Sequence, residues 1–108
     1  MSSICIAIDA MGGDQGIKIT VPASLMVLAE YPELHLTLVG DQTQLQTALD
    51  AASPSWDKNR LKIYHATQIV EMHEAPAVAL RSKRDSSMRV ALNLVHSGVA
   101  RACVSAGN

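Results

Sequence analysis

The sequence has 108 residues, 48% of them hydrophobic and 18% charged, with a formal net charge of -1. That is room for one modest soluble domain and not for two, and the composition excludes a disordered or fibrous chain. The charge balance excludes the electrostatic footprint of a nucleic-acid binder and a basic helix of the kind that lies on anionic lipid.

No stretch is long and apolar enough to span a bilayer. Met1-Ser2-Ser3 runs straight into a strand-like segment, without the basic region or cleavage site of a secretory signal. Ile4-Cys5-Ile6-Ala7-Ile8, apolar on both faces, predicts a central strand of a covered parallel sheet that stops at Asp9. A glycine-rich loop follows from Asp9 to Gly16. Val21, Leu25, Leu28 and Ala29 then recur at helical spacing, with Pro22 placed in the first turn and Pro32 closing the helix. Leu36-Thr37-Leu38-Val39 is the second strand, ended by Gly40. Asp41 with Gln44 forms a capping-box pattern for a helix whose stripe is Leu45, Ala48, Leu49 and Ala52. Ser53-Pro54-Ser55 breaks that helix, and the stretch from Trp56 to Arg60 reads as a polar loop.

Leu61-Lys62-Ile63-Tyr64-His65 alternates, which suits a strand nearer the sheet edge. Between Ala66 and Asp85 the pattern allows a short turn around Ile69, Val70 and Met72 and a short helix over 77–80, divided by Pro76. Asp85 or Ser86 caps a further helix with Met88, Ala91, Leu92 and Val95 on one face, ended by Gly98. Ala102 to Ala106 is a fourth, buried strand. The alternation β-α-β-α-β-α-β is that of a three-layer α/β domain, a mostly parallel sheet with crossover helices. A strand leading into Gly107-Asn108 is a place where such a domain continues, so the expectation is a truncated single domain over residues 1–108, the N-terminal fragment of a longer enzyme.

Right-handed crossovers favour the strand order 3-2-1-4, and ligands of such sheets bind beyond the carboxyl ends of the strands where the order reverses. Three segments then meet at one rim. In the first, Asp9, Gly12, Gly13 and Asp14, the glycines allow close backbone approach to a phosphate. The dinucleotide pattern G-x-G-x-x-G and the Gly-Lys-Ser/Thr of a phosphate loop are both absent, and a plain strand-to-helix turn capped by Asp9 and Asp14 stays open. The second, Arg81-Ser82-Lys83-Arg84-Asp85-Ser86-Ser87, sets cations before a helix N-terminus with hydroxyls, either an anion site or a solvated basic loop with a serine cap. The third, Ser105-Ala106-Gly107-Asn108, is a ligand-binding or merely tight turn. Cys5 and Cys103, each inside an apolar run, read as buried structural thiols of a reducing cytosol. His35, His65, His73 and His96 lack metal-ligand spacing. Trp56 and the methionines read as packing or surface.

Those three segments resemble the motifs of the bacterial phosphate acyltransferases of fatty acid and phospholipid synthesis, the PlsX family. Ala7-Ile8-Asp9-Ala10-Met11-Gly12-Gly13-Asp14 is similar to the family's N-terminal signature, Arg81 to Met88 to its basic segment followed by Ser-Ser-Met, and Val104 to Asn108 to its next motif. Gln15-Gly16-Ile17 departs from the Asn-Ala-Pro often found there. The resemblance implies transfer of a fatty acyl group from acyl carrier protein to inorganic phosphate, giving acyl-phosphate for phospholipid synthesis. It also implies an isocitrate/isopropylmalate dehydrogenase-like fold, no cofactor or metal, and a cytoplasmic homodimer. Peripheral membrane association beside a membrane acyltransferase belongs to the same implication.

Carried onto this chain, Asp9, Gly12, Gly13, Asp14, Ser105, Gly107 and Asn108 line the cleft. Lys83, Arg84, Ser86 and Ser87 hold phosphate or the phosphopantetheine arm. The resemblance identifies no catalytic residue, since phosphate is itself the nucleophile, and it predicts no turnover for the 108-residue piece alone. Two other readings compete: a non-catalytic phosphate- or nucleotide-binding module, and a piece that only docks acyl carrier protein.

Overall fold

The computed structural model describes residues 4–12, 15–67 and 86–105. They form a four-stranded sheet with three helices, a small α/β domain. The elements are β1 (Ile4–Asp9), α1 (Ile17–Glu30), β2 (Leu34–Gly40), α2 (Gln42–Ala52), β3 (Leu61–His65), α3 (Ser87–His96) and β4 (Ala102–Ser105). The strand order is β3-β2-β1-β4 and all three pairings are parallel, as the crossover argument requires. The expected short turn and the helix over 77–80 lie outside the described residues.

Side-chain alternation along β1 sorts the core into two layers. Ile6 and Ile8 pack with Leu36, Leu38, Leu45, Leu49 and Leu61 under α1 and α2. Ala7 packs with Val39, Val90, Ala91 and Leu94 under α3. Leu38, Leu45, Leu49 and Leu61 are fully buried. Each such side chain contributes roughly 1.5–3 kcal/mol relative to exposure, so these four residues anchor the α1/α2 layer. Its coverage is incomplete beside β4, where Ile6, Ile8 and Val104 face Ile19 and Val27 of α1 across an open apolar groove of about 430 Å³.

Local chemistry sets the helix ends. The Asp41 side chain accepts from the Gln44 amide at 2.9 Å, satisfying a first-turn donor of α2. His65 Nδ1 accepts from the Gln42 amide at 3.1 Å, so the end of β3 holds the start of α2. Gly98 takes φ 86 just past α3 and donates its N–H to the Val95 carbonyl, the left-handed helix stop that glycine makes without strain.

Several expectations need correction. α1 begins at Ile17, so Pro22 lies in its second turn, where it has no N–H for the Lys18 carbonyl. Its buried positions are Val21, Ser24 and Leu28, while Ala29 is exposed. β2 begins at Leu34 and includes Gly40. The inward face of α3 is Ser87, Val90, Ala91 and Leu94, and Leu92 is 42% exposed. That face is turned from the expected one because the helix buries its cap-proximal serine at the sheet rim. Among the described residues β4 is an edge strand rather than a buried one, and Val104 is 54% exposed. Both cysteines are free and half-buried rather than fully buried.

The segment read as a polar loop carries two structural anchors. Trp56 is buried in the core and its indole N–H donates to Asp50 Oδ1 at 3.0 Å, with Lys58 Nζ 4.3 Å from the ring centroid. Arg60 donates to the carbonyls of Leu34, Leu28 and Tyr31, tying the C-terminal end of α1 to the start of β2. A cation at that end also opposes the negative pole of the helix.

The Trp56 hydrogen bond, then the Gln46 side chain and the Lys58 charge, hold the Asp50 carboxyl below the ordinary carboxylate range. A lowered folded pKa gives stability that is fully present above the unfolded value and is lost as pH falls through the folded one. Asp50→Asn should therefore lower the melting temperature at neutral pH, and its difference from the wild type should shrink below about pH 4. A difference constant across that range in thermal melts would count against this role.

Candidate functional site

β1 and β4 are parallel neighbours with Asp9 opposite Ser105, so the two strands end on the same rim. The contact is direct. Ser105 Oγ donates to Asp9 Oδ2 at 2.7 Å. Asp9 is 2% exposed, and its second carboxylate oxygen, Oδ1, is buried with no hydrogen-bond partner among the described residues.

Alternation places the Asp9 side chain on the face covered by α3, with Ala7 and Val39. The start of α3 is on that same face and rim. Past its C-terminal end, the Arg101 amide donates to the Cys5 carbonyl at the opposite edge of β1. From there the ten residues of α3 rise about 15 Å, while β1 from Cys5 to Asp9 rises roughly 13 Å. The helix N-terminus thus reaches the level of Asp9. Ser86 is its cap and is fully buried. Its side chain accepts from the Arg89 amide at 3.1 Å, and its carbonyl accepts from the Val90 amide. Ser87 is 1% exposed. A helix start offers amides without intrahelical partners and a partial positive charge, which suits an anion.

The loop after β1 is fastened at several points. The Ala10 amide donates to the Val39 carbonyl, and the Gly12 amide donates back to the Asp9 carbonyl. The Thr20 hydroxyl reaches from the first turn of α1 to the Ala10 carbonyl at 2.8 Å. Gly16, with φ 53, begins that helix in a conformation L residues avoid. Met11 lies over Gly40 so closely that a Cβ there would stand 2.6 Å from its Cγ and 2.7 Å from its Sδ.

Of the residues expected to bind substrate, the structure brings together Asp9 and Ser105 and sets Ser86 and Ser87 at the same rim. Gly12 is buried in the loop beside Asp9. Gly13, Asp14, Lys83, Arg84, Gly107 and Asn108 lie outside the described residues. Sequence reasoning missed Thr20 and Gly40. A threonine one turn into the helix after a glycine loop was the available signal for the first. Nothing local marks the second, because Met11 is distant in sequence. Among the described residues, no group of His, Cys, Asp or Glu side chains could hold a metal ion.

Residues 4–108 match the family model described as "Fatty acid synthesis protein". The chain belongs to this family. It is 59% identical over 106 residues to a phosphate acyltransferase of Hydrogenovibrio crunogenus, covering 98% of this chain and 31% of that protein. It is 56% identical over 106 residues to the phosphate acyltransferase of Chromobacterium violaceum, covering 98% of this chain and 30% of the relative. Against that of Ectopseudomonas mendocina it is 53% identical over 108 residues, 100% of this chain and 32% of the relative. The chain therefore spans about a third of the length of the curated relatives it matches.

Gly40→Ala should force Met11 off the backbone and press on Leu45, costing about 1–3 kcal/mol in urea unfolding; Met11→Ala in the same chain should recover part of that loss. Ser105→Ala leaves the buried Asp9 carboxylate without its donor and should cost about 1–3 kcal/mol. A double-mutant cycle with Asp9→Ala that gives no coupling energy would show that the 2.7 Å contact contributes nothing.

Proposed function

We propose that the chain is the N-terminal part of an acyl-ACP:phosphate acyltransferase of phospholipid synthesis. The observation that carries the reading is the Asp9–Ser105 register at the rim where α3 begins, in a chain 59% identical to a phosphate acyltransferase. The reaction would be attack of a phosphate oxygen on the thioester carbonyl of the acylated carrier. The carbon–sulfur bond then breaks, leaving acyl-phosphate and the carrier thiol. Phosphate is the nucleophile, so the protein's task is orientation and stabilisation of the tetrahedral oxyanion by preorganised donors.

In this reading the first turn of α3, capped by Ser86, and the turns after β1 and β4 supply those donors. Lys83 and Arg84 supply charge for the phosphate or the phosphopantetheine arm, a role that rests on the family motif. The reading takes the complete enzyme as a homodimer that works beside a membrane acyltransferase consuming the acyl-phosphate. No helix among the described residues is long and apolar enough to cross a membrane, which accords with peripheral association. With about a third of the relatives' length, the 108-residue chain alone is expected to give no turnover.

Acyl-phosphate formation by the complete enzyme from acyl carrier protein and phosphate, trapped as the hydroxamate, tests the activity. Formation that depends on phosphate is expected, and its absence refutes the reading. Changing both Lys83 and Arg84 to alanine should raise the KM for phosphate at least about tenfold, the scale of a lost charge-assisted hydrogen bond. An unchanged phosphate dependence would remove the basic segment from the site.

A further inference from the structure

We infer that Asp9 makes this rim selective for an oxyanion that carries its own proton, admitting inorganic phosphate and excluding sulfate and phosphodiesters. The inference rests on the reading of the rim as a phosphate site and goes beyond it by naming which anions enter and which atom decides.

A carboxylate beside an anion site looks like a misplaced charge. As a carboxylate it offers only acceptors, and an anion with no hydrogen would meet it lone pair against lone pair. Asp9 is nevertheless held there. Ser105 Oγ donates to Oδ2 at 2.7 Å, which anchors one oxygen of the carboxylate. Oδ1 is buried and takes no hydrogen bond. An acceptor left unpaired in the interior costs about 1–3 kcal/mol, and among the described residues no donor meets it.

The ligand that suits this oxygen is one that brings its own donor. It enters on the face where Asp9 and the N-terminus of α3 stand at one level, the helix start providing the attraction for negative charge. A ligand meeting both requirements is an anion with an O–H. Near neutral pH, inorganic phosphate carries one or two protons and meets them. Sulfate carries none, and a phosphodiester, including the one in a phosphopantetheine arm, carries none. Asp9 thus assigns its corner of the rim to the inorganic phosphate and leaves the carrier's arm to approach elsewhere. The groove on the other face also borders Asp9, with Thr20 and Ser24, but the surface it exposes, from Ile6, Ile8 and Val104 among others, is almost wholly apolar and does not suit an anion.

The test is equilibrium dialysis of radiolabelled phosphate against the complete enzyme, with competitors at matched ionic strength, and it needs no turnover. Arsenate, which is protonated like phosphate, should displace the label at similar concentrations. Sulfate and dimethyl phosphate should need at least about tenfold more, the scale of one charge-assisted hydrogen bond. Sulfate or dimethyl phosphate competing as well as arsenate overturns the inference, as does a failure of phosphate to bind at all.

Asp9→Asn, whose amide adds a donor, should narrow the gap between arsenate and sulfate to within about threefold, losing most of that bond's contribution. A folded variant that keeps the full gap overturns the assignment. If the variant does not fold, the wild-type ranking still decides. Acyl-phosphate formation with no discrimination against sulfate would defeat this inference and leave the acyltransferase reading standing. Discrimination without acyl-phosphate formation would do the reverse.

Discussion

The pairing of β1 with β4 is the constraint on which the site depends. It joins residues 96 positions apart, and the Ser105–Asp9 hydrogen bond closes it at the rim. Without that register the end of β1 would lack Ser105 as a neighbour, and α3 would lose the part of its sheet surface that β4 provides. With it, a glycine loop, a strand end and a helix start share one corner. The corner is polar because the strand ends carry hydrogen-bonding side chains just where the apolar run stops.

Two opposite faces of the same strand then do different work. Ile6 and Ile8 look toward α1 and α2, where the leucine layer supplies most of the buried apolar surface. Ala7 and Asp9 look toward α3, where the packing residues are small: Ala7, Ala91 and Ala100 beside Val39, Val90 and Leu94. Small side chains let α3 lie close to the sheet, and close approach brings its start to the height of Asp9. The leucine layer and the polar rim are thus separated by one step of a β-strand.

The rigid parts of the site are fastened by backbone rather than by side-chain bulk. Ala10 continues the pairing of β1 with β2, and Thr20 ties the loop to the first turn of α1. The absence of a side chain at Gly40 leaves room for Met11. A loop held this way has a fixed backbone path, and preorganisation is what stabilisation of a developing oxyanion requires. Among the described residues Oδ1 of Asp9 meets no donor, which is why it is read as waiting for a ligand.

Much of this was legible in the sequence. Strand runs, the Asp41 cap, the Gly98 stop and the parallel topology follow from chemistry within a few residues and from the handedness of crossovers. The rest required the folded chain. The buried face of α3 is centred on Ser87, Val90, Ala91 and Leu94, with Val95 packed beside it and Leu92 exposed, because the sheet rim chooses the buried side and hydrophobicity alone does not. Arg60 and Trp56 looked like a solvated loop until the α1 carbonyls and Asp50 appeared beside them. Periodicity records what a residue's neighbours in sequence require. The pairing of Asp9 with Ser105, and the oxygen that remains unpaired beside it, arise only when distant segments share one dry corner, where every polar atom must find a partner or pay for lacking one.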